Sequence, residues 1–303
     1  MIDPYGRAIK GLRVSLTQRC NLNCIYCHHE GEGGNGGEMT TAEVLRIVKV
    51  ARSLGVRRVK YTGGEPLLRS DIIEIIRGTV SMNLEDVAIT TNGSLLKLYA
   101  PDLIDAGMHR LNVSLPSIRP EVYHSLTGGF LKEVIEGIRE AQRLGMEIKV
   151  NVVIMKGVNE GEIDQLLEYA RSIHGGLQII ELENLNLGKP FFEKYHKDLS
   201  DIEKRLARSA DNVTEREDVN QRRRYTINGL QVEVVRPVNN PHFCMRCSRL
   251  RVTSDGRLKP CLMRSDNLIS TLDLIRRGCS DAELKELFLK ALTLRSPYYL
   301  LPS

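Results

Sequence analysis

The sequence predicts an α/β fold: a partial (β/α)6 barrel of the TIM type over residues 1–195, with a smaller C-terminal α+β region over 196–303. Three observations carry this prediction. Six short β-branched, apolar runs alternate with amphipathic helical segments up to residue 182. Every connecting segment is long enough for a right-handed crossover, so the six strands would lie parallel. The chemistry-bearing residues fall directly after the strands, where such barrels keep their active sites.

The elements follow in order. Residues 12–16 form the first strand and lead into CNLNCIYC at 20–27. Thr40 and Glu43 stand three apart as a capping box, opening a helix with Val44, Leu45, Val48 and Ala51 on one side and an end near Gly55. VRRVKY (56–61) is the second strand, followed by Thr62-Gly63-Gly64-Glu65-Pro66 and a helix opened by Ser70-Asp71. VAITT (87–91) precedes a helix over about 95–106, and RLNVSL (110–115) precedes one over about 131–144. EIKVNVVI (147–154) precedes a helix over about 160–173, and LQIIEL (177–182) completes the series.

The rhythm breaks after residue 190. A charged segment over about 199–217 reads as a helix. RYTI and LQVEVV follow as two strands joined by Asn228-Gly229, a pair suited to a tight hairpin. A second cysteine group contains a hairpin turned at Ser254-Asp255-Gly256, and a last amphipathic helix spans about 281–294.

Composition excludes several classes. Hydrophobic content of 42% and charged content of 27% suit a globular chain rather than a disordered one. The N-terminal stretch has no apolar run that would serve as a secretory signal or membrane span. The expected location is therefore the cytoplasm, where clustered cysteines more often bind metal than pair as disulfides. A net charge of 43 − 38 = +5 accommodates an anionic ligand but is too small to indicate nucleic acid. The dense basic run Arg222-Arg223-Arg224 reads as a solvated face.

Cys20, Cys24 and Cys27 form C-x3-C-x2-C with no fourth cysteine close by. Iron–sulfur and structural zinc sites normally take four protein ligands, so three thiolates leave one metal with an open coordination position. His28 or His29 would complete a zinc site instead. Cys244, Cys247 and Cys261 repeat the pattern as C-x2-C-x13-C. Cys279 or His242 would complete a zinc ribbon there. Arg249 and Arg251 alternate on one face of the strand beginning after Cys247, and two guanidiniums beside an open metal position suit a phosphate-bearing ligand.

C-x3-C-x2-C with Tyr26 before its last cysteine, joined to GGEP after the second strand, resembles the radical S-adenosylmethionine (SAM) superfamily. The glycines at 63 and 64 allow close backbone approach. The later C-x2-C-x-R-x-R-V-T and K-P-C-L make the chain similar to the GTP 3′,8-cyclase family of molybdenum cofactor biosynthesis over about residues 5–295. The resemblance implies two 4Fe–4S clusters, one on Cys20, Cys24 and Cys27, and a second on Cys244, Cys247 and Cys261. It places SAM against Tyr26, Gly64 and Ser114. It places GTP against Arg13, Lys60, Thr91, Lys149, Arg249, Leu250 and Arg251. The implied activity is a radical SAM lyase that makes (8S)-3′,8-cyclo-7,8-dihydroguanosine 5′-triphosphate. The implied partners are an electron donor, a downstream cyclic pyranopterin monophosphate synthase and a second copy of the chain.

The chain departs from the family pattern at four places. It has Ser114-Leu115-Pro116-Ser117 where the family often has Asp, Lys60 where Arg is common, and Glu181-Leu-Glu-Asn184 without the common Met. It ends Tyr298-Tyr-Leu-Leu-Pro-Ser303 rather than Gly-Gly. The alternatives are another radical SAM enzyme with an auxiliary cluster, acting on peptides, or a non-catalytic zinc or nucleic-acid-binding protein.

Overall fold

The computed structural model describes residues 1–32, 37–216, 220 and 222–299. Six parallel strands form the centre: β1 (Gly11–Ser15), β2 (Arg58–Thr62), β3 (Asp86–Thr91), β4 (Arg110–Ser114), β5 (Glu147–Ile154) and β6 (Gly176–Glu181). Helices α1 (Thr41–Ser53), α2 (Ile72–Val80), α3 (Leu96–Asp105), α4 (Pro120–Thr127), α5 (Leu131–Arg143) and α6 (Ile163–Ser172) connect them. The Thr40–Glu43 capping box is formed in both directions, and Gly55 follows α1 with φ +94°.

The residues beyond α6 do not build a separate sheet. After α7 (Lys189–Tyr195) and α8 (Ser200–Ser209), β7 (Asn212–Arg216), β8 (Arg222–Ile227) and β9 (Leu230–Val235) join the β6 edge, β9 running parallel to β6. After α9 (Pro241–Met245), β10 (Arg249–Val252), β11 (Arg257–Lys259) and β12 (Ile269–Ser270) join the β1 edge, β10 running parallel to β1. Helices α10 (Leu272–Arg276) and α11 (Asp281–Thr293) close the chain. The strand order is β12-β11-β10-β1-β2-β3-β4-β5-β6-β9-β8-β7.

The expected helix over 199–217 ends at Ser209, and 212–216 is strand β7 instead. Residues 212–215 are exposed and only Arg216 is half-buried, so the stretch lacked the apolar alternation by which a half-buried strand is recognised. The Asn228-Gly229 hairpin forms as expected, with φ of +47° and +79° matching the turn that needs both residues left-handed.

Strand alternation sorts side chains between two layers. Leu12, Val14, Val59, Tyr61, Ile89, Leu111, Val113, Ile148 and Val150 join one hydrophobic core under the helices. Arg13, Lys60, Asn112 and Lys149 alternate with them and face the opposite, concave side. No helix among the described residues is long and apolar enough to cross a membrane.

Candidate active site

The first cysteine trio occupies the loop after β1. Cys20, Cys24 and Cys27 carry free thiols, and burial raises all three, Cys24 to about 12. Cys27 and Cys20 lie close enough to Cys24 for their charges to raise it further. Tyr26 hydrogen-bonds the Cys24 sulfur. The His29 N–H donates to Cys27 Sγ at 3.4 Å. Thiols raised this far ionise when a metal cation takes the proton's place.

The TGGEP turn is stitched to that loop. Gly64 N–H donates to Thr17 O at 2.7 Å and Glu65 N–H to Arg19 O at 2.8 Å. Gly63 has φ +145°, and a Cβ there would meet Thr17 O at 2.4 Å; one on Gly64 would meet Arg19 O at 2.2 Å. Only glycine fits this approach. Glu65 is buried and accepts from Leu67 N–H, the Thr91 hydroxyl and Asn92 N–H. Burial pushes its carboxyl up to about 7 against the pull of those three donors. Asn92 passes the connection on, donating to Asn21 Oδ1 at 2.9 Å and reaching Cys20 Sγ at 3.9 Å.

The concave face is lined with cations. Arg251, Arg13 and Lys60 sit side by side in register on β10, β1 and β2. Burial lowers Lys60 well below the usual lysine range, and Arg110, Arg13, Arg249 and Arg222 push it the same way. Burial and Arg222 bring Arg249 down to about 9. Like charges 4 Å apart repel by about 4 kcal/mol at an effective dielectric of about 20, so such a face is built for an anion.

Two buried carboxylates offset part of this charge. Glu30 accepts from Arg13 at 2.5 Å, from Arg251 at 2.9 Å and from Thr62 at 3.0 Å. Burial opposes its charge, yet Arg13 and Arg251 hold its carboxyl down at about 2. Glu233 on β9 meets Lys149 at 3.0 Å, Arg216 at 3.1 Å and Arg224 at 3.3 Å. Burial opposes its charge, yet Lys149, Arg222 and Arg216 hold its carboxyl far below the carboxylate range.

Cys244, Cys247 and Cys261 lie on α9, the turn before β10, and the loop after β11. Here the electrostatics differ. Burial works against a Cys247 thiolate, but Arg295 and Arg249 outweigh it and the thiol is lowered. Arg295 is buried and donates to Cys247 O at 2.8 Å and Arg249 O at 3.1 Å. It also pairs with Asp3, which holds Arg7 at 2.6 Å. Arg7 in turn donates to Cys244 O and Pro297 O at 2.9 Å. Both ends of the described chain thus brace this group.

The structure brings Arg13, Lys60, Lys149, Arg249 and Arg251 to one face and sets Ser114 at the end of β4, in register with Asn151. Thr91 points its hydroxyl at Glu65 instead, and the Leu250 side chain lies in the hydrophobic core, leaving its backbone to the site. Arg222, expected on a solvated face, is buried; Arg223 beside it is exposed. Cys279 packs against the core near α1, where its carbonyl accepts from Arg46. Among the described residues no three His, Cys, Asp or Glu side chains close around a single metal ion. Residues 300–303 of the tail lie outside the described residues. Sequence reading missed Glu30, Glu65, Glu233 and the Asp3–Arg7–Arg295 network. Glu65 had a visible signal, since it stands inside GGEP.

A shallow apolar hollow lined by Pro120, His124, Phe130 and Ile135 lies between α4 and α5, apart from this face.

Comparison with known proteins decides the family. Residues 14–170 match the Radical SAM superfamily, and residues 176–301 match Molybdenum Cofactor Synthesis C. A probable GTP 3′,8-cyclase of Methanothermobacter thermautotrophicus is 43% identical over 300 residues, covering 98% of each chain. One from Pyrococcus horikoshii is 44% identical, covering 99% of this chain and 98% of the relative. The chain belongs to the GTP 3′,8-cyclase family of the radical SAM superfamily.

The fold of this radical SAM chain has a close solved likeness. Streptococcus suis SuiB bound to its precursor peptide SuiA superposes with a TM-score of 0.67 at 16% identity, covering 98% of this chain and 75% of SuiB. The superfamily binds SAM and a 4Fe–4S cluster, and the cyclases carry a second cluster. Two trios of free thiols, one on the loop after β1 and one shared by α9, the turn before β10 and the loop after β11, supply the donor chemistry that an iron–sulfur cluster takes.

Proposed function

We propose that the protein converts GTP, with SAM, to (8S)-3′,8-cyclo-7,8-dihydroguanosine 5′-triphosphate, the first step of molybdenum cofactor biosynthesis. One observation carries this reading: Glu30, just past the first trio, and Arg251, between Cys247 and Cys261 of the second, meet over a face of cations that no described set of carboxylates neutralises. GTP carries about four negative charges near neutral pH, which suits that face.

Cys20, Cys24 and Cys27 would hold the first cluster, with SAM beside it, and Cys244, Cys247 and Cys261 would hold the second on the substrate side. Bound there, these groups would supply the one-electron chemistry needed to remove a ribose hydrogen. The chain's own residues do the positioning. Gly64 and the end of β4 at Ser114 cradle SAM, with Tyr26 behind the first cluster. Arg13, Lys60, Lys149, Arg249 and Arg251 hold the nucleotide, while Thr91 acts through Glu65 and Leu250 through its backbone. Residues 1–195 form the SAM-binding unit and 196–303 supply the substrate cluster. The setting is the cytoplasm, with a one-electron donor upstream, cyclic pyranopterin monophosphate synthase downstream, and a homodimer as the working assembly. A peptide without phosphates or carboxylates would leave the charge of these cations unanswered.

Anaerobic reconstitution tests the reading. Protein given GTP, SAM and a reductant should yield 5′-deoxyadenosine together with a product that oxidises to a fluorescent pterin. Cys261→Ser should keep SAM cleavage partly alive and abolish cyclisation. Release of 5′-deoxyadenosine with no GTP-derived product would overturn the cyclase reading.

A further inference from the structure

Arg7 and Arg295 come from the two ends of the described chain and meet on one carboxylate. Asp3 Oδ2 accepts from Arg7 Nε at 2.6 Å and lies 3.2 Å from Arg295 Nε. All three side chains are buried. The other nitrogens of both guanidiniums donate to backbone carbonyls, and two of those carbonyls belong to cysteines of the second trio. Arg7 Nη1 donates to Cys244 O at 2.9 Å, and Arg295 Nη2 to Cys247 O at 2.8 Å. Arg7 Nη2 donates to Ser296 O at 2.8 Å, and Arg295 Nη1 to Arg249 O at 3.1 Å.

Two cations against one carboxylate leave positive charge fixed on the backbone of two cysteines, where burial limits its screening. Burial opposes negative charge on the three sulfurs, while Arg295 favours it at Cys247 and Cys261, and Arg7 favours it at Cys244. The first trio has a different setting. Its sulfurs meet neutral donors, the His29 N–H at 3.4 Å on Cys27 and the Asn92 amide at 3.9 Å on Cys20. Behind Asn92 stands a carboxyl, since Glu65 accepts from Asn92 N–H at 2.7 Å.

One-electron reduction adds a negative charge to an iron–sulfur cluster, and the charge and hydrogen bonds around it set how readily the electron is taken. A fixed buried cation favours the reduced form, and a carboxylate disfavours it. We propose that Arg7 and Arg295 are positioning residues that hold positive charge beneath the second cluster and make it the easier of the two to reduce. The proposal rests on the two-cluster reading above. Of two electrons lost by the donor, the first then settles on the substrate side and the second reaches the SAM side.

The experiment is anaerobic potentiometry of reconstituted full-length protein with dithionite as reductant, followed by electron paramagnetic resonance. The wild type should show two one-electron midpoints. The higher should vanish when Cys244, Cys247 and Cys261 are all replaced by Ala, and persist when Cys20, Cys24 and Cys27 are. Arg295→Gln leaves the Asp3–Arg7 pair in place and should make the second cluster at least about tenfold harder to reduce, a fall of about 59 mV. Arg7→Gln should act in the same direction, Arg295→Lys should act less, and the exposed Arg223→Gln should move neither midpoint. A higher midpoint that belongs to the first trio overturns the proposal. So does an unmoved one in Arg295→Gln and Arg7→Gln variants that match the wild type in circular dichroism and iron content. Arg295→Gln protein that loads only about four irons would make Arg295 a brace for the ligands, and also overturns it. If replacing Cys244, Cys247 and Cys261 leaves about eight irons in place, the assignment of that trio falls first.

Discussion

The Glu30 carboxylate accepts a hydrogen bond from Arg251 at 2.9 Å, across 221 residues of chain. It joins the loop of the first cysteine trio to the strand that runs between Cys247 and Cys261 of the second, and Arg13 completes the bridge at 2.5 Å. Neither partner is solvent-exposed, so the pair is little screened.

Replacing Glu30 by Gln leaves two buried guanidiniums without their counter-ion, at a cost of about 3 kcal/mol near neutral pH. Because the folded carboxyl sits at about 2, below its ordinary value of 4.5, this stability is present above pH 4.5. It is lost as pH falls toward 2. Urea midpoints of wild type and Glu30→Gln should converge over that window; a gap that stays constant there would contradict the ion-pair account.

Glu65 titrates in the opposite sense. Burial lifts its folded carboxyl to about 7, so its favourable contribution is complete below pH 4.5 and disappears as pH rises through 7. Glu65→Gln should flatten the fall in stability between those limits. It should also disturb the spectroscopic signature of the first cluster, because Asn92 links Glu65 to the Cys20 loop.

Gly64→Ala places a methyl 2.2 Å from Arg19 O, with no positive φ to complicate the reading. The turn must then move away from the cysteine loop, at about 1–3 kcal/mol. SAM affinity should drop at least about tenfold, whereas Gly161→Ala, whose Cβ meets nothing within 4 Å, should bind SAM normally. Isothermal titration under nitrogen distinguishes the two.

Asp3→Asn removes the charge that holds Arg7 and Arg295 under the second trio. Iron content should fall from about eight toward about four per chain as the second cluster is lost. SAM cleavage should survive. Loss of both clusters together would mean that the network braces the whole fold rather than this group.

Much of this was legible in the linear chain. The six strands announced themselves because each is fully buried on one side, and the cysteine spacings and GGEP are local patterns. Register between distant strands is not local. Nothing in 249–252 says that it will lie beside β1, so Arg251 next to Arg13 emerges only in the sheet. The same holds for Arg222, which is buried while Arg223 beside it is exposed. Glu30 and Glu233 were hidden because a single acid in a loop or strand carries no periodicity.

The later half of the chain adds strands to both margins of the six-stranded core, β9 at one and β10 at the other. A polypeptide stopped at residue 195 would therefore bare two rows of unpaired amides and carbonyls, an open invitation to stick to its own kind. During synthesis the ribosome must deliver β10 before the β1 margin is sealed. Any chaperone acting on this protein has its work set in that interval.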